Sequence, residues 1–280
     1  MQITQLSDPE KSSAPSILII LTGSLGDIAR GLCLVAELKK HLPNCRITWL
    51  VESRWAALVG LHGQIDNVIT FRRTWRVSAL RQLHQDLRRE KFDITLDLQR
   101  ILKSGFFALL SGAGRRIGFH RRNAKEFNWI FNNDHIGYFS DDLPKIRHYL
   151  KFIEHLGLPV PDTLDFGLSS LNAAGTVPRV INERWQPFAA VVLGTSWEAK
   201  NWYFEGYLEL VRRIPADLKL TVVLVGDGQR TGMAENLVEH ISAPDVINLV
   251  AKTSLPELTA VLKAAAVGVG PDSGPGHLAA

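Results

Sequence analysis

The sequence alternates between short apolar runs and amphipathic segments, and this alternation restricts the possible fold more than any other feature. Apolar runs that predict strands lie at 17–21, 46–51, 92–98, 188–194, 218–226 and 265–270. Segments that predict helices lie between or beside them, at 28–41, 53–59, 77–90, 102–111, 204–214, 231–241 and 255–264. Strands that alternate with helices favour a parallel sheet covered by helices on both faces. The sequence therefore predicts an α/β fold.

A stretch rich in proline and glycine interrupts the alternation. Residues 159–187 contain four prolines and two glycines and few periodic segments, which is typical of an interdomain connection. We therefore predict a flexible N-terminal tail at 1–16, one doubly wound domain at 17–165 and a second at 166–280. Because ligands bind beyond the carboxyl ends of the strands in such domains, two facing domains would form a cleft.

The composition excludes several classes of protein. The chain has 280 residues, of which 46% are hydrophobic and 21% are charged, as in globular rather than disordered proteins. Two cysteines, Cys33 and Cys45, are too few for a disulfide framework or a structural zinc site. The apolar run 17–21 is too short for a signal sequence or a membrane span. We therefore expect a cytoplasmic protein.

Charge is distributed unevenly between the two halves. Residues 1–165 contain 23 Lys and Arg against 17 Asp and Glu, whereas residues 166–280 contain 9 against 11. A basic half suggests an anionic partner, although a solvated basic surface explains the same counts. We expect no nucleic-acid partner.

The first predicted strand ends in a glycine-bearing turn that carries a carboxylate. Gly23 and Gly26 permit close approach or unusual dihedral angles, and Asp27 stands where the following helix begins. A carboxylate in the first turn stabilises a helix through its free N–H groups and its dipole. Asp27 is therefore either a structural cap or a functional acid at the edge of the sheet.

Two further loops with polar side chains follow predicted strands of the second domain. The segment LGTSWEAKNW provides Thr195, Ser196 and Lys200, whose hydroxyl and ammonium groups suit phosphate oxygens. The segment GVGPDSGPGHLAA leads through Asp272 and Ser273 into a glycine-bearing helix start, where free N–H groups favour an anion. A solvated lysine and an N-cap are the structural alternatives.

Together, TGSLGD, TSWEAKNW and DSGPGHLAA resemble the signature loops of the ADP-heptose:lipopolysaccharide heptosyltransferases, glycosyltransferase family 9. The segment FDITLDLQRILKSGFFALLSGAGRRIGF is also similar to that family. The resemblance extends over most of the chain from residue 17. It implies a GT-B fold of two Rossmann-like domains and inverting transfer of heptose without a metal ion or other cofactor.

The resemblance also implies roles for individual residues. Asp27 matches the catalytic carboxylate, which as a general base would deprotonate the acceptor hydroxyl. Lys200 matches a phosphate-binding lysine. The other nucleotide-sugar-binding candidates are Thr195, Ser196, Thr253, Asp272, Ser273, Gly274 and His277. The donor, ADP-heptose, would bind mainly the C-terminal domain.

The acceptor of the family is the anionic inner core of lipopolysaccharide, which implies a basic site in the N-terminal domain and peripheral association with the inner face of the cytoplasmic membrane. The acceptor-binding candidates are Arg72, Arg73, Arg76, Lys103 and Arg121, with Arg115, Arg116 and Arg122 as further basic residues. A solvated basic face is the alternative for each arginine.

The sequence departs from the family pattern in two places. VGDGQRTG has Gln229 and Arg230 where the family usually has an acidic residue, so ADP rests on the family resemblance alone. The chain also stops one turn into its last helix, and one turn is not stable by itself. We therefore expect an incomplete second domain, weak stability and little activity.

Three other functions stay open. A family member could use another nucleotide sugar or acceptor, and a catalytically inactive protein could bind the sugar nucleotide. A nicotinamide-dependent oxidoreductase would also begin with a strand, a glycine turn and a helix. GSLGDIARG lacks the G-x-G-x-x-G spacing of that class, which disfavours it.

Overall fold

The structure, a computed structural model, describes residues 14–73, 76–168, 181, 187–195, 197–241 and 246–280. The chain divides into two compact units, Met1–Ser170 (unit 1) and Leu171–Ala280 (unit 2). The division lies inside the proline- and glycine-rich stretch, at residue 170 rather than 165. Most of the predicted tail lies outside the described residues, and so does Ser196.

Unit 1 is built on a parallel sheet. Its described strands are β1 (Ser16–Ile20), β2 (Arg46–Glu52), β3 (Asn67–Phe71), β4 (Ile94–Asp97), β5 (Arg115–Gly118) and β6 (Asp134–His135). Their order is β3-β2-β1-β4-β5-β6, the Rossmann order. The order reverses beside β1, where Ile20 pairs with Leu50 of β2 and Asp97 of β4. Ser16, predicted to belong to the tail, is instead the first residue of β1.

The helices of unit 1 cover this sheet. They are α1 (Leu25–Gly31), α2 (Cys33–His41), α3 (Ala56–Val59), α4 (Val77–Arg89), α5 (Leu102–Ser111) and α6 (Lys145–His155). Helix α4 packs through Leu80, Leu83 and Leu87, whose spacing places them on one face. Helix α5 ends at Gly112, whose φ of +73° forms the left-handed cap that glycine favours.

Unit 2 repeats the arrangement on a smaller scale. Its described strands are β7 (Phe188–Val192), β8 (Thr221–Val225), β9 (Val246–Asn248) and β10 (Val267–Val269), parallel and in the order β10-β7-β8-β9. This order matches β4-β1-β2-β3 of unit 1. Its described helices are α7 (Phe204–Arg213), α8 (Thr231–Ile241), α9 (Leu255–Ala264) and α10 (Gly274–Ala279).

Both faces of β7 and β8 are buried, because alternate residues of these two strands pack into different cores. Val191 and Leu224 join one hydrophobic cluster, whereas Ala190 and Val223 join the other. The two predicted doubly wound sheets are therefore confirmed. Within the described part of the chain, no helix is both long and apolar enough to cross a membrane.

Candidate active site

The loop after β1 brings Asp27 to the carboxyl edge of the first sheet. Gly23 in this loop has a φ of +151°, and an added Cβ would lie 3.0 Å from Nε1 of Trp55. Asp27 is the third residue of α1, where its Oδ2 accepts hydrogen bonds from Ser24 N–H (3.3 Å) and Ser24 Oγ (3.2 Å). The carboxylate therefore caps its own helix, as the sequence predicts for the structural alternative.

The other oxygen of Asp27 faces cationic and phenolic groups. Arg30 Nη2 donates to Oδ1 at 3.0 Å, Tyr149 Oη donates to it at 3.3 Å, and Lys145 Nζ lies 3.7 Å away. Lys145 and Tyr149 belong to α6, more than 100 residues further along the chain. With 18% of its side chain exposed, Asp27 is a partly buried carboxylate fixed through both oxygens.

These contacts determine the protonation state of Asp27. Burial acts to raise its pKa, but Lys145, Arg30 and the Ser24 N–H together outweigh burial and hold the pKa below its ordinary value. Burial and the adjacent Asp27 carboxylate raise the pKa of Tyr149 far above its ordinary value. At neutral pH the site therefore holds an ionised carboxylate beside a protonated phenol.

A second charged cluster surrounds Glu52 at the carboxyl end of β2. The buried carboxylate of Glu52 is 2.8 Å from Arg54 Nη2, 3.4 Å from Arg73 Nε and 3.7 Å from Lys103 Nζ. Lys103 also lies 4.9 Å from the centroid of the Phe71 ring. Burial lowers the pKa of Lys103 and is only partly opposed by Glu52.

A cavity of about 380 Å³ adjoins this cluster, with Arg72, Arg73 and Lys103 in its lining and Phe71 and Phe107 as apolar wall. Three of the predicted acceptor-binding residues therefore converge on one basic cavity. Arg76 stands separately, exposed at the N-cap of α4.

The remaining arginines divide into two groups. Arg115 Nε donates to Asp134 Oδ2 at 2.7 Å, and Arg116 Nε donates to the Phe131 carbonyl at 3.0 Å, so both tie β5 to its neighbours. Arg121 and Arg122 are exposed, and the Arg122 guanidinium lies 5.6 Å from the Tyr138 ring centroid. The second pair is therefore the more exposed of the two.

In unit 2, the loops after β7 and β10 meet at an ion pair. Lys200 Nζ donates a short hydrogen bond to Asp272 Oδ2, and His277 Nε2 lies 3.1 Å from Asp272 Oδ1. Lys200 and Asp272 are both about half exposed. Lys200, Asp272 and His277, predicted from loops about 70 residues apart, therefore converge on one site.

The same loops are held by backbone contacts. Thr195 N–H donates to Asn201 Oδ1 at 2.8 Å, and Ser273 Oγ accepts from Gly276 N–H at 3.3 Å as the N-cap of α10. Gly274 is the first residue of that helix. Thr253 lies in the half-buried loop between β9 and α9. The structure thus places Thr253 at the carboxyl edge beyond β9.

Arg230 lies at this edge, although the sequence pattern indicated only that it departs from the family. Its Nη2 donates to the Thr195 carbonyl at 3.0 Å, and it covers Gly194, whose φ is +73°. A Cβ at Gly194 would collide with the Arg230 guanidinium. The glycine is therefore required for this close approach, and Arg230 fixes the β7 loop from the β8 side.

Sequence reasoning also missed Arg30, Lys145 and Tyr149 beside Asp27. The spacing of Asp27 and Arg30 on one helix is a local signal that could have indicated their ion pair. Nothing in the sequence connects α6 to residue 27. Among the described residues, no group of three or more His, Cys, Asp or Glu side chains is arranged to hold a metal ion.

Solved structures share this fold. The Escherichia coli heptosyltransferase WaaC with ADP superposes with a TM-score of 0.81 over 94% of this chain and 83% of its own, at 23% identity. E. coli ADP-heptose LPS heptosyltransferase II superposes with a TM-score of 0.77 over 94% of this chain and 81% of its own, at 20% identity. These similarities confirm the predicted GT-B class of fold.

Sequence comparisons identify the family. The sequence model of glycosyltransferase family 9 (heptosyltransferase) matches residues 80–280. The lipopolysaccharide core heptosyltransferase OpsX of Haemophilus influenzae is 26% identical over 97% of this chain and 78% of its own length. Lipopolysaccharide heptosyltransferase 1 of Pseudomonas aeruginosa is 24% identical over 94% of this chain and 75% of its own length. The chain therefore belongs to glycosyltransferase family 9, and the resemblance of its loops to that family is confirmed.

Proposed function

We propose that this enzyme transfers heptose from ADP-heptose to the inner core of lipopolysaccharide, with inversion at the anomeric carbon and without a metal ion. The relatives OpsX and heptosyltransferase 1 are named for lipopolysaccharide, and one WaaC structure contains ADP-2-deoxy-2-fluoro heptose. The main support within this chain is the fixed, ionised carboxylate of Asp27 at the switch point of the first sheet.

In this proposal Asp27 is the general base. Its Oδ1 is occupied by Arg30, Lys145 and Tyr149, so the acceptor hydroxyl approaches Oδ2, where Ser24 alone donates among the described residues. The hydroxyl oxygen attacks the anomeric carbon as its proton passes to Oδ2. The bond from that carbon to the diphosphate breaks on the opposite face, which inverts the configuration.

Negative charge then develops on the leaving ADP. Lys200 of unit 2 is the cation assigned to stabilise it, and the site around Asp272, Ser273 and His277 holds the diphosphate and the sugar. A single fixed donor of this kind lowers the barrier by about 3–4 kcal/mol. Exposed ion pairs are weak, so Lys200 exchanges its contact with Asp272 for a phosphate oxygen at little cost.

Unit 1 binds the acceptor and unit 2 the donor in this scheme, with the reaction at the inner face of the cytoplasmic membrane. The cavity lined by Arg72, Arg73 and Lys103 is assigned to carboxylate or phosphate groups of the acceptor. Its cations are partly neutralised by Glu52, and Phe71 and Phe107 provide an apolar wall beside them.

The replacement Asp27→Asn tests the proposal. We expect kcat to fall about 10²–10⁴-fold, the usual contribution of a general base, while ADP-heptose affinity measured by calorimetry stays unchanged. Loss of donor affinity with intact turnover would refute the assigned role.

Asp66→Asn is a matched control in the same unit. Asp66 is also ion-paired, to Lys39 at 2.8 Å, and also has a lowered pKa, but it accepts from Ile47 at the amino end of β2. Its replacement should leave kcat unchanged. Calorimetric titration with a panel of nucleoside diphosphates separately tests ADP, because a preference for another base would exclude ADP-heptose and leave Asp27 as the base.

A further inference from the structure

Unit 1 carries an exposed apolar turn that the proposed reaction does not use. Phe127, Trp129 and Ile130 have 71%, 38% and 55% of their surface exposed. Residues Asn128–Phe131 form a single 3₁₀ turn, and Ile130 N–H donates to the Phe127 carbonyl at 3.1 Å. This hydrogen bond closes the turn, so Phe127 and Ile130 are close neighbours on the surface of unit 1. We call residues 127–130 the exposed turn.

The exposed turn is fixed from below by a buried carboxylate. Asp97 is fully buried at the end of β4, and its Oδ2 accepts a hydrogen bond of 2.6 Å from Asn128 Nδ2. Asn132 Nδ2 lies 3.4 Å from the same oxygen. Burying a carboxylate is costly unless it is hydrogen-bonded, so this network holds the turn in one conformation. The apolar side chains are therefore presented outward and are not merely left loose.

The backbone at the start of the exposed turn is strained. Glu126 and Phe127 have φ values of +52° and +57°, a region that bulky residues rarely adopt and that clusters at functional sites. The Glu126 carboxylate accepts a hydrogen bond from Leu102 N–H at 3.2 Å. This contact places Leu102, itself 43% exposed, beside the turn.

Cations flank the exposed turn. Arg121, Arg122 and Lys125 are exposed, and none of the three forms an ion pair in the part of the chain that the structure describes. Nearby acidic groups have other partners: Glu126 accepts from Leu102, and Asp141 lies 3.5 Å from Arg100. Tyr138, 58% exposed, stacks with Arg122. Exposed aromatic residues beside unpaired cations match the anionic interface of a bilayer.

The exposed turn also lies at the carboxyl edge of the first sheet, as Asp27 does. Asp97 ends β4, and Gln99, two residues later, accepts hydrogen bonds from the N–H and hydroxyl of Thr22 in the loop that leads to Asp27. The turn and Asp27 therefore share the carboxyl edge of neighbouring strands. A surface bound by the turn would be near the end of unit 1 that receives the acceptor.

We propose that the exposed turn, with Leu102, Arg121, Arg122 and Lys125, docks unit 1 onto the surface of an anionic phospholipid bilayer. The apolar side chains enter the interfacial layer while the cations meet the headgroups. This inference rests on the proposed function only in assuming that the acceptor is anchored in a membrane.

The test uses the full chain and vesicles that contain no acceptor. Wild-type protein should sediment with vesicles that contain phosphatidylglycerol, bind phosphatidylcholine vesicles less, and dissociate at about 1 M salt, where the Debye length is only about 3 Å. The double variant Phe127→Asn, Ile130→Ser should bind about 10-fold more weakly, since it loses most of the exposed apolar area. Asn suits the positive φ of residue 127, so the variant should fold.

Controls separate docking from chemistry. Leu218 precedes β8 in unit 2 and is about as exposed as Ile130. The replacement Leu218→Asn should therefore not change vesicle binding. With a deacylated, soluble acceptor, the double variant should match wild-type turnover, whereas with acceptor in vesicles it should be slower. If the double variant is unstable, Ile130→Ser alone and the dependence of wild-type binding on lipid charge still test the proposal.

Several results would overturn the inference. Wild-type protein that turns over soluble acceptor but does not bind anionic vesicles would exclude docking and leave the proposed function intact. A dimer in sedimentation velocity that the double variant abolishes would assign the turn to a second copy of the chain. Vesicle binding without any turnover would instead refute the proposed function and keep the docking surface.

Discussion

The first strand of each sheet is followed by a loop in the same topological position, but the two loops use charge in opposite ways. After β1, the carboxylate of Asp27 is 18% exposed and is surrounded by Arg30, Lys145 and Tyr149. After β7, the loop provides the cation Lys200, and its acidic partner Asp272 comes from the neighbouring strand β10 and is 59% exposed.

This difference separates a fixed, partly buried carboxylate from an exposed ion pair. Donors on both oxygens fix the orientation of Asp27 and keep it ionised, which suits a group that receives a proton. Two half-exposed partners hold each other weakly, which suits a site where a phosphate displaces the carboxylate. Under the proposed function, the same fold position would serve proton transfer in unit 1 and anion binding in unit 2.

After Asp27→Asn, the largest effect should come from breaking the pair in unit 2. We expect Lys200→Met to lower kcat/KM for the donor by about 100-fold, as for loss of one fixed donor in an active site. The melting temperature should barely change, because the pair is exposed. Steady-state kinetics and calorimetry test this, with Lys263→Met at the exposed end of α9 as control. A large loss of stability would mean that Lys200 is structural.

A smaller effect should come from loosening Asp27. Lys145→Met and Tyr149→Phe each remove one contact to Oδ1, and we expect kcat to fall by about 10-fold with donor KM unchanged. Because Lys145 lowers the pKa of Asp27, its loss should move the acid limb of the kcat profile to higher pH. Lys151→Met on the same helix, where Lys151 pairs with Glu154, should leave the profile unchanged.

The stability that Asp27 provides should depend on pH. The folded pKa of Asp27 lies below its unfolded value, so its contribution is present above the unfolded pKa and is lost as pH falls through the folded pKa. The destabilisation caused by Asp27→Asn should therefore shrink between about pH 5 and pH 2. Urea unfolding at several pH values measures it. Asp272→Asn should cost less than about 0.5 kcal/mol at neutral pH.

The smallest expected effect is the slow reaction of the two cysteine thiols with a thiol reagent, which reports on unit 1 alone. Burial raises the pKa of Cys33 to about 12 and that of Cys45 to about 11, so both are protonated and unreactive at neutral pH. Native protein should resist a thiol reagent, whereas unfolded protein should label at two sites. Both cysteines belong to unit 1, so their labelling rate reports opening of unit 1 alone. Fast labelling of native protein would contradict the buried state.

Most of the regular structure could be predicted, but the weak elements could not. Strands such as β1 and β7 are continuous apolar runs that pattern alone identifies. Strands β3, β5, β6 and β9 went unpredicted because they are very short or contain polar and charged residues that interrupt the apolar run. Helix α6 was also missed, although its buried Tyr149, Phe152 and Ile153 have helical spacing.

The candidate site divides in the same manner. Asp27, Lys200 and Asp272 follow predicted strands, so the rule that ligands bind at carboxyl ends was enough to select them. Arg230 was noticed only as a departure from the family, because its role depends on packing over Gly194 from a different strand. The sequence could not distinguish the structural arginines Arg115 and Arg116 from the exposed Arg121 and Arg122, because a run of like charges does not show which side chains are exposed.

The sequence by itself determined the α/β alternation, the two sheets and the loops that carry polar groups, because period and turn residues are local properties. Only the tertiary structure decided which donors fix Asp27 and which carboxylate supports the exposed turn. Tyr149 lies 122 positions from Asp27, and Asn128 lies 31 positions from Asp97. Such contacts depend on how elements pack, and packing brings together residues whose separation along the chain carries no signal of their proximity.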